Sequence, residues 1–199
     1  MSFYIDGHRP RHSNPDRTPE AHHIFLIEWL PLQSQMFDQL VYRLKSDNSV
    51  PALWFYADLM ADLIQSKVKT TDFAALVPIA GSRASSVHAH LLAERLSLHF
   101  GLPVLDVISK KATEKAQKYM NAEERRQTNL FSLKTERYVE FTKIQKRKSQ
   151  SKPKFLLIDD ILTTGVSFQQ CSDVLHGSEQ NMIATLFYRP RADVRPFKS

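Results

Sequence analysis

At 199 residues, with 42% hydrophobic and 24% charged residues, the chain has the make-up of one ordinary globular domain, long enough to bury a core. No apolar run nears the roughly 20 residues of a membrane span, the opening MSFYIDGHRPRHSNPDRTPE lacks the apolar stretch of a secretory signal, and the single cysteine, Cys171, excludes an internal disulfide and any Cys-rich zinc module. The formal charge of +6 is unevenly spread: from Ser109 to Lys154, fourteen Lys or Arg stand against five acids, a balance of +9 that leaves the remainder near −3. A cytoplasmic protein with no membrane partner is expected, and the cations point to an anionic one.

Residues 1–23, polar and carrying Pro10, Pro15 and Pro19, read as a flexible arm ahead of a single domain at 24–199. His8, His12, His22 and His23 lack cysteines or a regular ligand spacing and read as incidental surface histidines. Phe37, Leu40, Val41 and Leu44 recur at helical spacing, as do Tyr56, Leu59, Met60, Leu63 and Ile64, so two helices are expected to cap a site or to pack beneath it. A strand is expected over Phe73–Ile79, turning through Gly81-Ser82-Arg83 into a helix from about Ala84 to His99, with a second strand at Val104–Ile108.

The basic segment follows, and its part from about 132 to 154 reads as an insertion, in the ordinary case a solvated loop. Tyr119, Phe131, Tyr138 and Phe141 are interleaved with its cations. That pattern suits a binder of single-stranded DNA, and equally a loop packed by its own aromatics. Phe155–Ile158 is apolar without alternation, as expected of a strand buried on both faces. A helix from Ser167 to His176 ending at Gly177 and a strand at Met182–Tyr188 complete an α/β pattern of strands alternating with helices, which implies a mainly parallel sheet flanked by helices.

Between the Phe155 strand and the next helix stand Asp159-Asp160 and then Thr163-Thr164-Gly165-Val166-Ser167. In an open α/β sheet, ligands sit beyond the carboxyl ends of the strands, where loops lead into helices. Consecutive backbone N–H groups, hydroxyls and a helix N-terminus hold a phosphate monoester well, and Gly165 allows close approach or positive φ. Two carboxylates repel phosphate but accept hydrogen bonds from vicinal sugar hydroxyls. A sugar phosphate satisfies both halves: phosphate on the loop, diol on Asp159 and Asp160. No Gly-Lys-Ser/Thr of a Walker A loop and no G-x-G-x-x-G occurs, and a carboxylate pair binding metal directly leaves the threonines without a role.

The stretch FLLIDDILTTGVSF resembles the signature by which type I phosphoribosyltransferases bind 5-phosphoribosyl 1-diphosphate (PRPP). Within that superfamily the chain is most similar to the ComF group of competence-associated proteins. The similarity runs through Gln117, Glu124-Arg125-Arg126, Asn129 and Phe131 ahead of the signature, through Ala75–Ile79, and more weakly through Tyr42-Arg43-Leu44-Lys45, covering roughly residues 35–190. The group's four-cysteine zinc module is absent, and Ser85-Ser86-Val87-His88 replaces its usual Gly-Phe-Asn-Gln.

The resemblance implies a Rossmann-like phosphoribosyltransferase fold with an N-terminal helical cap. It gives Asp159 and Asp160 to the ribose at the catalytic centre, Thr163, Thr164, Gly165, Val166 and Ser167 to the 5′-phosphate, and Ala80, Gly81, Ser82 and Arg83 to pyrophosphate. Lys110, Lys111, Arg125 and Arg126 fall on a flexible loop closing over the site. Magnesium is implied through PRPP oxygens and water, with no direct protein ligand. The implied ligand is PRPP or a ribose 5-phosphate nucleotide, with single-stranded DNA as a further partner and room for a homodimer. A pentosyl transferase acting on a base or amine and a non-catalytic PRPP or nucleotide sensor stand as alternatives to a role in DNA uptake.

Overall fold

The computed structural model describes residues 23–28, 39, 41–44, 50–81, 87–111, 130–148 (146–148 by backbone alone), 152–175 and 181–189. Among the described residues, six strands and four long helices run in the order β1 (His23–Glu28), α1 (Val50–Lys67), β2 (Ala75–Pro78), α2 (His88–Phe100), β3 (Ile108–Lys110), β4 (Phe131–Leu133), α3 (Thr135–Lys148), β5 (Phe155–Leu162), α4 (Val166–Val174) and β6 (Met182–Tyr188). Four strands form one parallel sheet in the order β1-β6-β5-β2, and β3 and β4 form a separate antiparallel ribbon.

β5 lies between β6 and β2, and Phe155–Ile158 is buried throughout, which is why its sequence shows no polar alternation. One face of the sheet packs Leu156, Ile158, Ala184 and Leu186 against Leu53, Met60 and Ile64 of α1 and Leu92 and Leu96 of α2. The other packs Phe155, Leu157 and Ile183 against Phe131 and Ile108 of the ribbon, Tyr138 of α3, and Phe168 and Cys171 of α4. Burial of each large side chain contributes on the order of 1.5–3 kcal/mol. The architecture is therefore α/β with a parallel sheet covered on both sides. Among the described residues, no helix is long and apolar enough to cross a membrane.

α1 and α2 are clamped on their outer side as well. Arg95 donates to both carboxylate oxygens of Asp58, at 2.7 and 2.9 Å, and His99 Nε2 lies 2.6 Å from the same carboxylate. The Arg95 hydrogen bond, with that of His99, holds the Asp58 carboxyl down at about 2. The clamp fixes how α2 lies across the sheet, and hence where its first residue, His88, is delivered.

Several expectations are corrected. His23 is no incidental surface histidine: it opens β1, an edge strand not foreseen in the sequence, and its Nε2 lies 3.0 Å from Thr185 Oγ1. Burial pushes its imidazole down to about 3. The strand expected at Val104–Ile108 reduces to a single parallel bridge from Val104 to Leu76, and the chain turns off into the ribbon at Ile108. Around that bridge Leu76 N–H donates to Pro103 O at 2.9 Å and Leu105 N–H donates to Leu76 O at 2.8 Å.

Within the segment about 132–154, Ser132 and Leu133 end β4 and Thr135–Lys148 form the 14-residue helix α3 in place of a loop, while residues 149–151 lie outside the described residues. The helix at Val87–His88 begins later than Ala84, and Gly101, with φ 65°, ends it. The helix expected to run to His176 ends at Val174, with Leu175 as its C-cap, and the arm at 1–22 and Gly177 lie outside the described residues.

Candidate functional site

The C-terminal edge of the parallel sheet collects the motif. β5 runs through Asp159 and Asp160 to Leu162, and Arg189 N–H donates to Leu162 O at 2.8 Å, keeping β6 paired to its end. Thr163, Thr164 and Gly165 make the turn. Gly165 takes φ 74°, a left-handed backbone that costs any other residue about 1–2 kcal/mol, and this lets so short a turn deliver Val166 as the first residue of α4. No side chain caps the helix; Thr164 Oγ1 stands 3.5 Å from Val166 N, at the limit of a contact. The first-turn N–H groups of α4, which have no acceptor within a helix, thus lie at the same end of the sheet as Thr164 and the first-turn residue Ser167. Thr163 is exposed there, while Thr164, Val166 and Ser167 are half-buried and Gly165 is buried.

The two aspartates do not face the same way. Adjacent residues of a strand point to opposite faces, and β5 pairs with β6 up to this point, Ile158 opposite Ala184 and Asp159 opposite Thr185. Asp160 therefore shares the α1–α2 face, where it borders a small cavity with Leu53 and His88, its Oδ2 being 3.8 Å from His88 Nδ1. Asp159 shares the face of α4 and the ribbon. There the buried Cys171 thiol is raised well above its usual value, first by desolvation and then by the Asp159 charge, with Lys110 opposing. Asp159 Oδ1 also accepts the Asp160 N–H at 2.8 Å.

Of the residues expected at pyrophosphate, Ala80 and Gly81 follow β2 at the same edge, half-buried, with Ile79 N–H held by Ile158 O at 2.9 Å; Ser82 and Arg83 lie outside the described residues. Lys110 ends β3 on the Asp159 side, its ammonium 5.2 Å from the centre of the Phe131 ring, and Lys111 is exposed just beyond. Arg125 and Arg126 lie outside the described residues. The β3–β4 ribbon thus pins both ends of the segment that carries them.

The aromatics of the basic segment are spent on the core. Phe131 and Tyr138 are buried, Phe141 packs against the same cluster, and both Tyr138 and Phe141 lie 6.2 Å from the Phe155 ring. The Tyr138 hydroxyl donates to Leu175 O. They offer no stacking platform, and Tyr119 lies outside the described residues.

His88 is the site residue that the motif reading missed. It is 6% exposed, and its Nε2 has no hydrogen-bond partner among the described residues. The available signal was its position, at the opening of the helix that follows the β2 loop, on the ligand edge of the sheet. No group of three or more His, Cys, Asp or Glu able to hold a metal occurs among the described residues. No family model matches the chain, and no curated protein does either.

Proposed function

We propose that the chain binds PRPP or a related ribose 5-phosphate at the β5–α4 end of its sheet, as a phosphoribosyltransferase-like protein of ComF type. The observation that carries the reading is the juxtaposition on one strand end of carboxylates for a diol and a left-handed glycine turn opening a helix for a monoester. The 5′-phosphate takes the α4 N-terminus with Thr164 and Ser167, where backbone N–H groups and the helix dipole favour an anion. The sugar hydroxyls take the carboxylate end of β5, and pyrophosphate lies toward Ala80 and Gly81.

Magnesium would be held here through the ligand's own hydroxyl and phosphate oxygens and through water, with no direct protein ligand, since the ion commonly keeps waters and needs no all-protein cage. When bound it would neutralise charge on the departing pyrophosphate. The protein's residues do the remaining work: they fix C1 in position and stabilise positive charge on the ribose as its bond to pyrophosphate breaks.

Titration calorimetry with PRPP, with and without Mg²⁺, tests the reading. PRPP binding should tighten when Mg²⁺ is added, and ribose 5-phosphate should respond far less. A screen of candidate bases for pyrophosphate release separates a transferase from a sensor, since a sensor binds PRPP and releases nothing. Absence of binding to either compound would contradict the proposal.

A further inference from the structure

The outer side of α1 and α2 carries apolar groups that neither the core nor the sugar-phosphate site uses. Trp54, Phe55 and Leu59 of α1 are exposed, and Leu98 of α2, at 76%, is the most exposed large apolar side chain among the described residues. Such residues scattered singly need no explanation. Here Trp54 and Leu98 border one groove of about 420 Å³, together with Glu94, Arg95, Ser97 and Val104. We propose that this groove is the contact by which two copies of the chain pair, about a two-fold axis passing close to Leu98.

A two-fold contact sets one patch against itself, so it needs a projection and a matching recess on the same surface. Leu98 is the projection. The groove it borders is the recess, and at roughly 30 Å³ for a water-sized group it has room for the four carbons of a leucine side chain. Leu98 of each copy thus enters beside Trp54 of the other. The recess is fixed in advance: Arg95 Cζ lies 5.4 Å from the centre of the Trp54 ring, and Asp58 holds that guanidinium at 2.7 and 2.9 Å. A surface ordered before binding loses less freedom on association, and Trp and Arg are the residue types that most often dominate protein interfaces.

Charge selects this face for a like copy. The chain carries +6, so two copies repel wherever their cations meet. Lys110, Lys134, Arg137 and Lys143 belong to the ribbon, its exit and α3, which cover the opposite side of the sheet. By contrast, α1 and α2 hold three acids, Asp58, Asp62 and Glu94, against Lys67 and Arg95. Near neutrality and exposed apolar groups therefore coincide on one face. Leu98 stands ten residues along α2 from His88, about 15 Å, so pairing here leaves the ligand edge of the sheet open.

Sedimentation velocity on the full chain, from about 1 to about 100 µM, covers the range of a modest interface and should show wild type passing from monomer to dimer. Leu98→Asp, at a side chain too exposed to matter for folding, should remain monomeric throughout with an unchanged melt. Trp54→Ala should weaken pairing by about 10-fold or more. Ile144→Asp, also at an exposed apolar position but on α3, should pair as wild type does. Under mild oxidation Leu98→Cys should form a disulfide-linked dimer and Ile144→Cys should not; the one native cysteine, Cys171, is buried.

A wild type that stays monomeric over the whole range would overturn the proposal, leaving the groove to a different macromolecule. So would a dimer that survives Leu98→Asp, one lost equally in Ile144→Asp, or cross-linking that is as efficient from α3 as from Leu98.

Discussion

The two most conspicuous stretches of the sequence, Asp159–Ser167 and the cationic run from Lys134 to Lys154, turn out to be opposite kinds of object. In the first, polar groups are set by backbone geometry: a strand end, one glycine at φ 74° and a helix start leave little freedom in where hydroxyls and N–H groups point. In the second, the charges ride on α3, and the residues that fix its place are aromatics turned inward, Tyr138 and Phe141 against Phe155. Short spacing between polar residues and glycine reported geometry. Charge density reported only a solvated helix face, and told nothing of how the segment is anchored.

That contrast is most exposed at Tyr138. If α3 is held by its aromatic face, Tyr138→Ala removes a buried ring and its bond to Leu175 O, and should cost about 3–5 kcal/mol. Lys143→Ala on the exposed side should stay within about 0.5 kcal/mol. Chemical denaturation monitored by circular dichroism measures both; a small Tyr138 effect would return the segment to the status of an appendage.

Gly165 tests the other half. Gly165→Ala forces a Cβ into the left-handed region and should destabilise by about 1–2 kcal/mol. It should also weaken phosphate binding, because the turn aims the α4 N-terminus. Equal stability and equal phosphate affinity in melts and titrations would show that the turn is not under geometric control.

His23 sharpens the point that burial, not charge count, gives a titratable group its leverage. Its folded-state value is depressed to about 3, from an ordinary 6.5, by desolvation. The unfolded chain therefore takes up the proton first as pH falls. The stabilising preference for neutral His23 is complete above about pH 6.5 and is lost progressively toward pH 3, by at most about 1.4 kcal/mol per unit and less for a ring only partly buried by area. Denaturation midpoints between pH 7 and 4 should fall less steeply in His23→Phe than in wild type. Identical slopes would place the ring in water.

The smallest effect is expected from the cations themselves. If Lys143 tracks a nucleic-acid backbone, Lys143→Ala flattens the slope of log K against log salt for single-stranded DNA by about 0.7. With Lys146, Arg147 and Lys148 changed as well, the total is at most about 3. With the aromatics buried, binding at low salt should be weak and indifferent to base sequence. A sequence-selective, salt-resistant complex would contradict this comparison.

How much could be read beforehand follows the same division. The β2, β5 and β6 runs, the helices between them and the parallel sheet were legible, because apolar runs and 3.6-residue periodicity are local signals. β1 was not: HIFLIE is six residues preceded by a polar stretch, and only pairing with β6 makes it a strand. Val104–Ile108 was apolar enough for a strand, yet Pro103 and the departure toward β4 left one bridge. α3 was obscured because its charged face outweighs the three or four residues that face inward. At the site, the order of the motif was plain, but strand alternation, which separates Asp159 from Asp160 and brings in His88 from α2, is a tertiary fact.

The claim that the β5–α4 end is a sugar-phosphate site is tested most directly by calorimetry of PRPP against wild type and the double variant Asp159→Asn, Asp160→Asn. Wild type should bind, and the double variant, folded as judged by its melt, should bind at least about 10-fold more weakly, a loss of about 1.4 kcal/mol. Equal affinities for the two proteins would contradict the account.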